Sequence, residues 1–279
     1  MPTGDELLKR IDAANFPAAP VVLTRLSHLL TEEWVTGEQL AEVMALDAGI
    51  AARVLRLANS VHFRGKGVKS IPEAVLRVGC DGVRDIVFAL SAMRSLRPAQ
   101  FDSRLFWRHS LAVAQATQVL QRRALNLPAP LPEGYAGGLL HDIGMVALDR
   151  ALGSDYRPVL EAARTSGRPL HEVERERLGT DHAEVGGRLL ELWRLPSALV
   201  TAVRAHHDPL GEDQLAAGLV HLADFVCNHH GLHHGTGYKP ESAVAEIWDE
   251  LGVGEAELPA LTAALEQELG KADALLAEG

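Results

Sequence analysis

The sequence predicts an all-α protein built as two helical lobes, and three observations carry that expectation. Hydrophobic residues make up 47% of the chain while aromatics make up only 5%. The core must therefore come from Leu, Ala and Val, and Ala and Leu lead the helix scale. Apolar residues recur at three- and four-residue steps through most of the chain, and no stretch sustains the alternation of a half-buried strand. At 279 residues the chain is long for one small core and suits two. The first lobe is expected over residues 1–100, ending near Pro98, and the second over 101–279.

Phe16-Pro17-Ala18-Ala19-Pro20 reads as an extended lead-in, since proline ends a preceding helix. Val21 to Leu30 then reads as helix, with Val22, Leu26, Leu29 and Leu30 on one side. Thr36 and Gln39 have capping-box spacing and open a helix through Leu40, Val43 and Met44. Asp47 is placed to cap the next helix, whose stripe is Ile50, Val54, Leu55 and Leu57. Gly65 and Gly67 make 61–70 a loop. Ser70-Ile71-Pro72-Glu73 starts a helix with proline in its first turn, carrying Ala74, Val75 and Val78. Gly79 and Gly82 punctuate the chain before a helix through Val83, Ile86, Val87, Leu90 and Met93. Arg53, Arg56, Arg64, Lys66 and Lys69 form a cationic stretch that reads first as a solvated edge, and second as an anion or partner site. His62, within it, reads as a surface residue.

The second lobe opens with a helix from Ser103 to Leu125, capped by Asp102 or Ser103. Its buried face is Leu105, Phe106, Ala112, Val113, Ala116, Val119 and Leu120. Three prolines make Leu127 to Gly134 a linker. A helix with Ala136, Leu139, Leu140, Ile143, Val146 and Ala147 on its buried face then runs through His141-Asp142. Shorter helices follow around Pro158–Thr165 and His171–Arg177. Asp181 and Glu184 cap a helix through Val185, Leu189 and Leu192, and Pro196 starts one running to His207. Leu215 to Cys227 is helical, His229 to Pro240 is a Gly- and His-rich loop, and Ser242–Leu251 and Leu258–Leu276 are the last helices. The stripe Leu258, Leu261, Leu265 and Leu269 is expected to pack back on the body.

Charge and cysteine content exclude several classes. The net charge of −10 is concentrated after residue 100, where 15 cations face 26 acids. A nucleic-acid-coating protein needs the opposite balance to displace counterions. No apolar run approaches the length of a membrane span, and Met1 to Asn15 lacks the pattern of a secretion signal. Cys80 and Cys227 make no disulfide framework and read as buried thiols. The cytoplasm is the expected compartment.

Against this background a set of polar residues stands where core residues belong. His141 and Asp142 sit inside an apolar run. His109 falls on the stripe Phe106, His109, Ala112, Ala116, and Asp224 on the stripe Ala217, Val220, Asp224, Cys227. His182 aligns with Val185 and Leu189; His206 continues Leu199 and Val203, and His207 continues Val200. A lone buried histidine is ordinarily satisfied by backbone, and an aspartate here could simply cap a helix. Seven such groups from five helices would demand many separate hydrogen-bond solutions, whereas one or two cations satisfy them jointly. Imidazole and carboxylate without clustered thiolate suit iron or manganese foremost, with zinc or nickel as alternatives. The inventory exceeds four, which fits a dinuclear centre bridged by Asp142, an arrangement used in phosphoester hydrolysis. His229, His230, His233 and His234, among glycines, are weaker metal candidates, and read first as residues that solvate a turn or pick up adventitious metal.

The second lobe resembles the HD superfamily of metal-dependent phosphohydrolases, and specifically its HDOD branch. The matching pieces are Trp107-Arg108-His109-Ser110, Gly138-Leu139-Leu140-His141-Asp142-Ile143-Gly144, His182-Ala183-Glu184-Val185-Gly186 through Pro196, Ala205-His206-His207 and His221-Leu222-Ala223-Asp224. The first lobe resembles the companion HDOD pattern in Phe16-Pro17, Asp47, Val54-Leu55-Arg56-Leu57-Ala58-Asn59-Ser60, Ser70-Ile71, Ala74 and Gly79. The resemblance implies an N-terminal helical lobe packed on an HD-type bundle, in a protein of bacterial signalling and regulation. Many such proteins lack metal ligands and act as interaction modules. This chain instead resembles the related HD-GYP phosphodiesterases in keeping His109, His141, Asp142, His182, His206, His207 and Asp224.

It departs from those enzymes at three places. Met145 stands where an HDIGK lysine would be, Asp208-Pro209-Leu210-Gly211 follows His206-His207 with no Gly-Tyr-Pro motif, and Leu105 supplies no carboxylate one turn before His109. Three functions follow as expectations. The first is a regulatory HDOD protein that binds metal through those seven residues and recruits a regulatory protein partner. The second is an active hydrolase of a nucleotide or other phosphoester, with Asp142 as the catalytic bridge. The third is a metal-free scaffold.

Overall fold

The computed structural model describes residues 4–13, 20–29, 32, 35–63, 67–127, 129–211, 215–235 and 243–278, with backbone alone at residues 5 and 10–13. Every regular element among them is helical. Two compact units emerge, one made of Met1–Phe16 and Arg97–Gln267, the other of Pro17–Leu96 and Glu268–Gly279. A division by chain order near residue 100 differs from this at both ends. Helix α1 (Gly4–Ala13) belongs to the larger unit, and the last turns of the C-terminal helix belong to the smaller one. The lead-in at 16–19, Leu30, Arg64, Gly65, Lys66 and the 236–242 segment lie outside the described residues.

The smaller unit contains α2 (Val21–Leu29), α3 (Gly37–Ala45), α4 (Ala48–Ala58), α5 (Ile71–Val78) and α6 (Cys80–Ser95). Their starts follow local chemistry. Thr36 and Gln39 form the expected capping box, each side chain bonded to the other's backbone N–H. Ser70 caps α5, with Pro72 in its first turn. Gly79 takes φ +88°, a conformation glycine adopts without strain, and so ends α5 and opens α6 with nothing between. Helix α6 lies against α2, α3, α4 and α5, and Val83, Val87, Ala89 and Leu90 on it are fully buried. The 61–70 connection is held by Asn59, whose amide donates to the carbonyls of Leu55 and Val68 and accepts from the Val68 N–H. His62 is exposed.

Asp47 has two tasks. One carboxylate oxygen accepts from the N–H groups of Gly49 (2.9 Å) and Ile50 (3.3 Å), and the other accepts from Arg94 Nη1 of α6 (2.7 Å). Burial alone would raise its pKa, but the Ile50 N–H and the Arg94 charge outweigh it and hold the carboxyl below its ordinary value.

The larger unit continues with α7 (Ser103–Gln121), α8 (Gly134–Leu140), α9 (Ile143–Leu152), α10 (Arg157–Ser166), α11 (Leu170–Leu178), α12 (His182–Leu192), α13 (Ser197–Arg204), α14 (Leu215–His229), α15 (Ala245–Leu251) and α16 (Leu258–Glu278), the last running on into the smaller unit. Helix α7 packs on α8 and α14, and α12 on α9, α13 and α1. Leu261 and Leu265 are buried as the α16 stripe requires. Both cysteines are thiols; Cys227 is buried, and burial raises its pKa well above the ordinary value. No helix among the described residues is long and apolar enough to cross a membrane.

Two helices end earlier than their periodicity predicts. The single helix expected through His141-Asp142 is broken there into α8 and α9, and α13 stops at Arg204 rather than running to His207. The same contact marks both ends. His141 Nδ1 bonds the carbonyl of Gly138 (2.8 Å), and His206 Nδ1 bonds that of Val203 (2.7 Å). In a continuing helix those carbonyls would accept from the N–H groups of Asp142 and His207. At each break the imidazole accompanies the end of the helix by donating to that carbonyl. Helix α7 also ends early, at Gln121 rather than Leu125.

The crossing of α9 and α12 fixes where the second half of the unit sits. A Cβ built on Gly144 would lie 1.8 Å from the carbonyl oxygen of His182 and 2.7 Å from the N–H nitrogen of Gly186. Only glycine permits that approach, and neither obstacle is a flexible side chain. Gly144→Ala should therefore lower stability by about 3 kcal/mol or more in urea unfolding. Asp47→Ala should remove about 1 kcal/mol. A carboxylate with a depressed pKa contributes stability above its unfolded value, lost as pH falls through the folded one. The difference between wild type and Asp47→Ala should accordingly hold at neutral pH and shrink below about pH 4, as read by urea midpoints across pH.

Candidate metal centre

All seven residues singled out in the sequence converge in the larger unit. His109 comes from the second turn of α7. His141 and Asp142 occupy the turn between α8 and α9, His182 is the first residue of α12, His206 and His207 form the turn after α13, and Asp224 lies in α14. His109, His141, Asp142, His182 and His206 are each no more than 2% exposed; His207 and Asp224 are partly buried. Three overlapping groups place their ligand atoms within 4.8 Å of one another: Asp142, His182, His206 and His207; His109, His141 and Asp224; and His109, Asp142 and His234.

Asp142 divides the imidazoles between its two oxygens. Oδ1 faces His182 Nε2 (3.1 Å) and His206 Nε2 (3.7 Å). Oδ2 faces His141 Nε2 (3.1 Å), His109 Nε2 (3.6 Å) and His234 Nε2 (3.6 Å). Asp224 Oδ1 stands on the second side, 3.1 Å from His109 Nε2 and 3.7 Å from His141 Nε2. Although Asp142 sits at the N-cap position of α9, its side chain makes no capping bond. The capping explanation for this aspartate is thereby removed.

The outer nitrogens of four rings, those of His109, His141, His182 and His206, are spoken for. His109 Nδ1 bonds the Leu232 carbonyl (2.6 Å), and His141 and His206 bond carbonyls of their own helices as above. Carbonyls only accept, so each Nδ1 carries the proton and each neutral ring turns its Nε2 lone pair inward. His182 Nδ1 is held by Glu174 Oε2 at 2.6 Å, and the same oxygen accepts the His182 backbone N–H at 2.9 Å. Glu174 is fully buried, and its other oxygen accepts from the Tyr156 hydroxyl. Nothing in the pattern of α11 points to it: Glu174 is one acid among several on a charged helix, and only its burial marks it. His171 was likewise unmarked; its ring stacks on His207 at 3.9 Å.

His234 is a correction. Rather than solvating a turn with His229, which is exposed, it is only 11% exposed and lies 5.2 Å ring to ring from His109. The bond from His109 to Leu232 draws the loop inward. His230 faces Glu266 at 3.4 Å, and His233 Nδ1 accepts from the Gly235 N–H.

Electrostatics at the centre follow from burial and two carboxylates. Burial disfavours charge on His141, yet Asp142 and Asp224 outweigh it and raise its pKa. Burial is outweighed in the same way at His182, where Glu174 and Asp142 raise the pKa well above the ordinary value. His206 falls to about 3 through burial and the His141 charge, and His207 falls well below its ordinary value through burial and His206. Burial takes His234 and His171 to about 4. Burial would raise both aspartates, but the histidine charges prevail. Asp142 lies well below the usual carboxylate range, and Asp224, bonded to His109, is held at about 2.

This donor set fits a cation. Asp142 Oδ2 and His206 Nε2 are buried without a hydrogen-bond partner. Inward-facing Nε2 atoms approach each other at 3.3 Å (His109 and His141) and 2.8 Å (His182 and His207). His109 and His141 both carry their proton on Nδ1 when neutral, so their facing Nε2 lone pairs repel unless something positive lies between them.

Comparison with known proteins agrees with this assembly. The HDOD domain profile matches residues 16–209. The chain belongs to the HDOD family. A curated relative from Treponema pallidum (strain Nichols), itself uncharacterised, is 26% identical over 71% of this chain; the chain spans 38% of its length. Among solved structures, a candidate signal transduction protein from Marinobacter aquaeolei VT8 superposes with a TM-score of 0.83 at 23% identity, over 98% of this chain and 64% of that one. A candidate phosphohydrolase from Shewanella amazonensis SB2B superposes at 0.74 with 25% identity, over 98% and 97%. The HDOD chain thus carries a buried His/Asp cluster within the family's helical fold.

Glu174→Ala would leave the His182 N–H groups and the Tyr156 hydroxyl buried without an acceptor. The expected loss is about 3–5 kcal/mol in urea unfolding, with Glu174→Gln losing less because one acceptor oxygen remains.

Proposed function

We propose that this HDOD protein is a bacterial regulatory protein whose larger unit holds two divalent first-row cations bridged by Asp142. The single observation that carries the reading is the split of the imidazoles between the two Asp142 oxygens. On one side His182, His206 and His207 would hold a cation with Oδ1; on the other His109, His141 and Asp224 would hold one with Oδ2. Nitrogen and carboxylate donors without sulfur favour iron or manganese, and admit zinc or nickel. Glu174 positions His182 by fixing its Nδ1 proton, as outer partners of metal-bound histidines do.

The regulatory side of the reading rests on what surrounds the cluster. Met145, one turn beyond His141, is buried and apolar, so that position offers no cation to a substrate phosphate. The likeness to a candidate signal transduction protein supports the same direction, and a protein partner is the readout it implies. The second reading, a phosphohydrolase acting on a nucleotide or other phosphoester, is favoured by the donor set itself and by the likeness to the Shewanella protein. A cation pair bound there would supply Lewis-acid polarisation of a phosphoryl oxygen.

Elemental analysis of the untagged chain, purified without added metal, should find about two first-row ions per chain. His141→Ala and Asp142→Ala should each lose most of that content. The metallated protein should leave cyclic dinucleotides and simple phosphodiesters intact; hydrolysis that disappears in both variants would replace the regulatory reading with the enzymatic one. Near-zero metal in the wild type would leave only the scaffold.

A further inference from the structure

We infer that His234 is an additional metal ligand, delivered by the loop after α14 to the side of the centre that α7 supplies incompletely. The inference rests on the two-cation reading above. Helix α7 gives the centre one ligand, His109. The position one turn earlier on the same face, where a second ligand from this helix would stand, is Leu105, which is 41% exposed and carries no donor. The same side of Asp142 is approached instead by His234, whose Nε2 lies 3.6 Å from Oδ2.

The loop is built to make that delivery. Leu232 is buried, and its carbonyl accepts from His109 Nδ1 at 2.6 Å. The ligand from α7 and the segment carrying His234 are therefore clamped together two residues from the imidazole. Gly231, at φ +83°, supplies the left-handed turn that leaves α14. Gly235, at φ +104°, follows His234 directly, and a Cβ built on it would lie 3.8 Å from Leu105 Cδ1. The loop thus lies over the residue that lacks a donor. His234 Nδ1 is buried without a hydrogen-bond partner, so no bond to protein at that nitrogen accounts for the ring being inside. Its Nε2 forms a group with His109 and Asp142 whose atoms all lie within 4.8 Å of one another.

This assigns the loop a role as well as a ligand. Metal bound through His109, Asp142 and His234 fixes residues 231–235 against α7, so occupancy of the centre is expressed in the conformation of a surface loop.

The test uses the full chain titrated with Co²⁺ and with Mn²⁺. His234→Ala should weaken binding of the second ion by about 10- to 100-fold, at least the loss seen when an outer partner of a metal ligand is removed. It should also change the visible absorption of the cobalt protein, which reports the number of nitrogen donors. His229→Ala, in the exposed neighbour, should change neither. Adding Leu105→Glu to His234→Ala should restore tight binding, an outcome that a packing role for His234 would not produce. Hydrogen exchange at residues 231–235 should slow on metallation in the wild type and not in His234→Ala. A wild type that binds two ions, with a His234→Ala variant that binds both as tightly and shows the same cobalt spectrum, overturns this inference and leaves the two-cation reading standing. A wild type that binds no metal overturns both.

Discussion

The larger unit depends on where four imidazole protons point. His109, His141, His182 and His206 each donate outward from Nδ1, three to backbone carbonyls and one to the Glu174 carboxylate. That single choice of tautomer aims every Nε2 at Asp142. The same bonds mark the turns after α8 and α13, where the carbonyls of Gly138 and Val203 accept from the His141 and His206 rings.

A cluster of this kind needs positive charge at its centre. Burying an unpaired carboxylate is opposed by several kcal/mol, and Asp142 is 2% exposed with an unbonded oxygen. Raised pKa values at His141 and His182 show one way to supply the charge, with protons held by the adjacent carboxylates. Divalent cations would supply it at the same atoms and would also separate the facing lone pairs of His109 and His141. Proton and metal would then compete for one set of nitrogens. Gly144 completes the geometry by letting the His182 backbone reach α9.

The helical fold was legible because nearly every helix buries a stripe that its periodicity exposes, and because the caps at Thr36, Asp47, Ser70 and Asp102 are local chemistry. His109 and Asp224 were legible for the same reason, as polar residues on apolar stripes. His141, Asp142, His206 and His207 were found as residues, but their setting was read as continuous helix. Periodicity alone does not register the turns after Leu140 and Arg204, because apolar spacing continues across them. Glu174 and His234 lay beyond this kind of reading. Glu174 sits in Leu170–Leu178, where charge is abundant, and its partners Tyr156 and His182 both lie outside that helix. His234 looks like one of several loop histidines until the bond between His109 and Leu232 is known, and that bond spans 123 residues. A contact of that separation leaves no trace in local composition.

The distribution of these donors bears on how such a centre serves regulation. The ligand atoms come from α7, the α8–α9 turn, the start of α12, the turn after α13, α14 and the loop behind it. Six helices of the larger unit, α7, α8, α9, α12, α13 and α14, thus meet at one point. Free energy of metal binding is then shared among all of them, and a species that binds the folded arrangement alone stabilises the whole. An enzyme of this design would in addition need a cation or donor set aside for substrate phosphate, and the position one turn after His141 holds a buried methionine instead. In the regulatory reading proposed above, a bound ion would act by cohesion, joining distant segments so that its presence decides the arrangement of the residues around it.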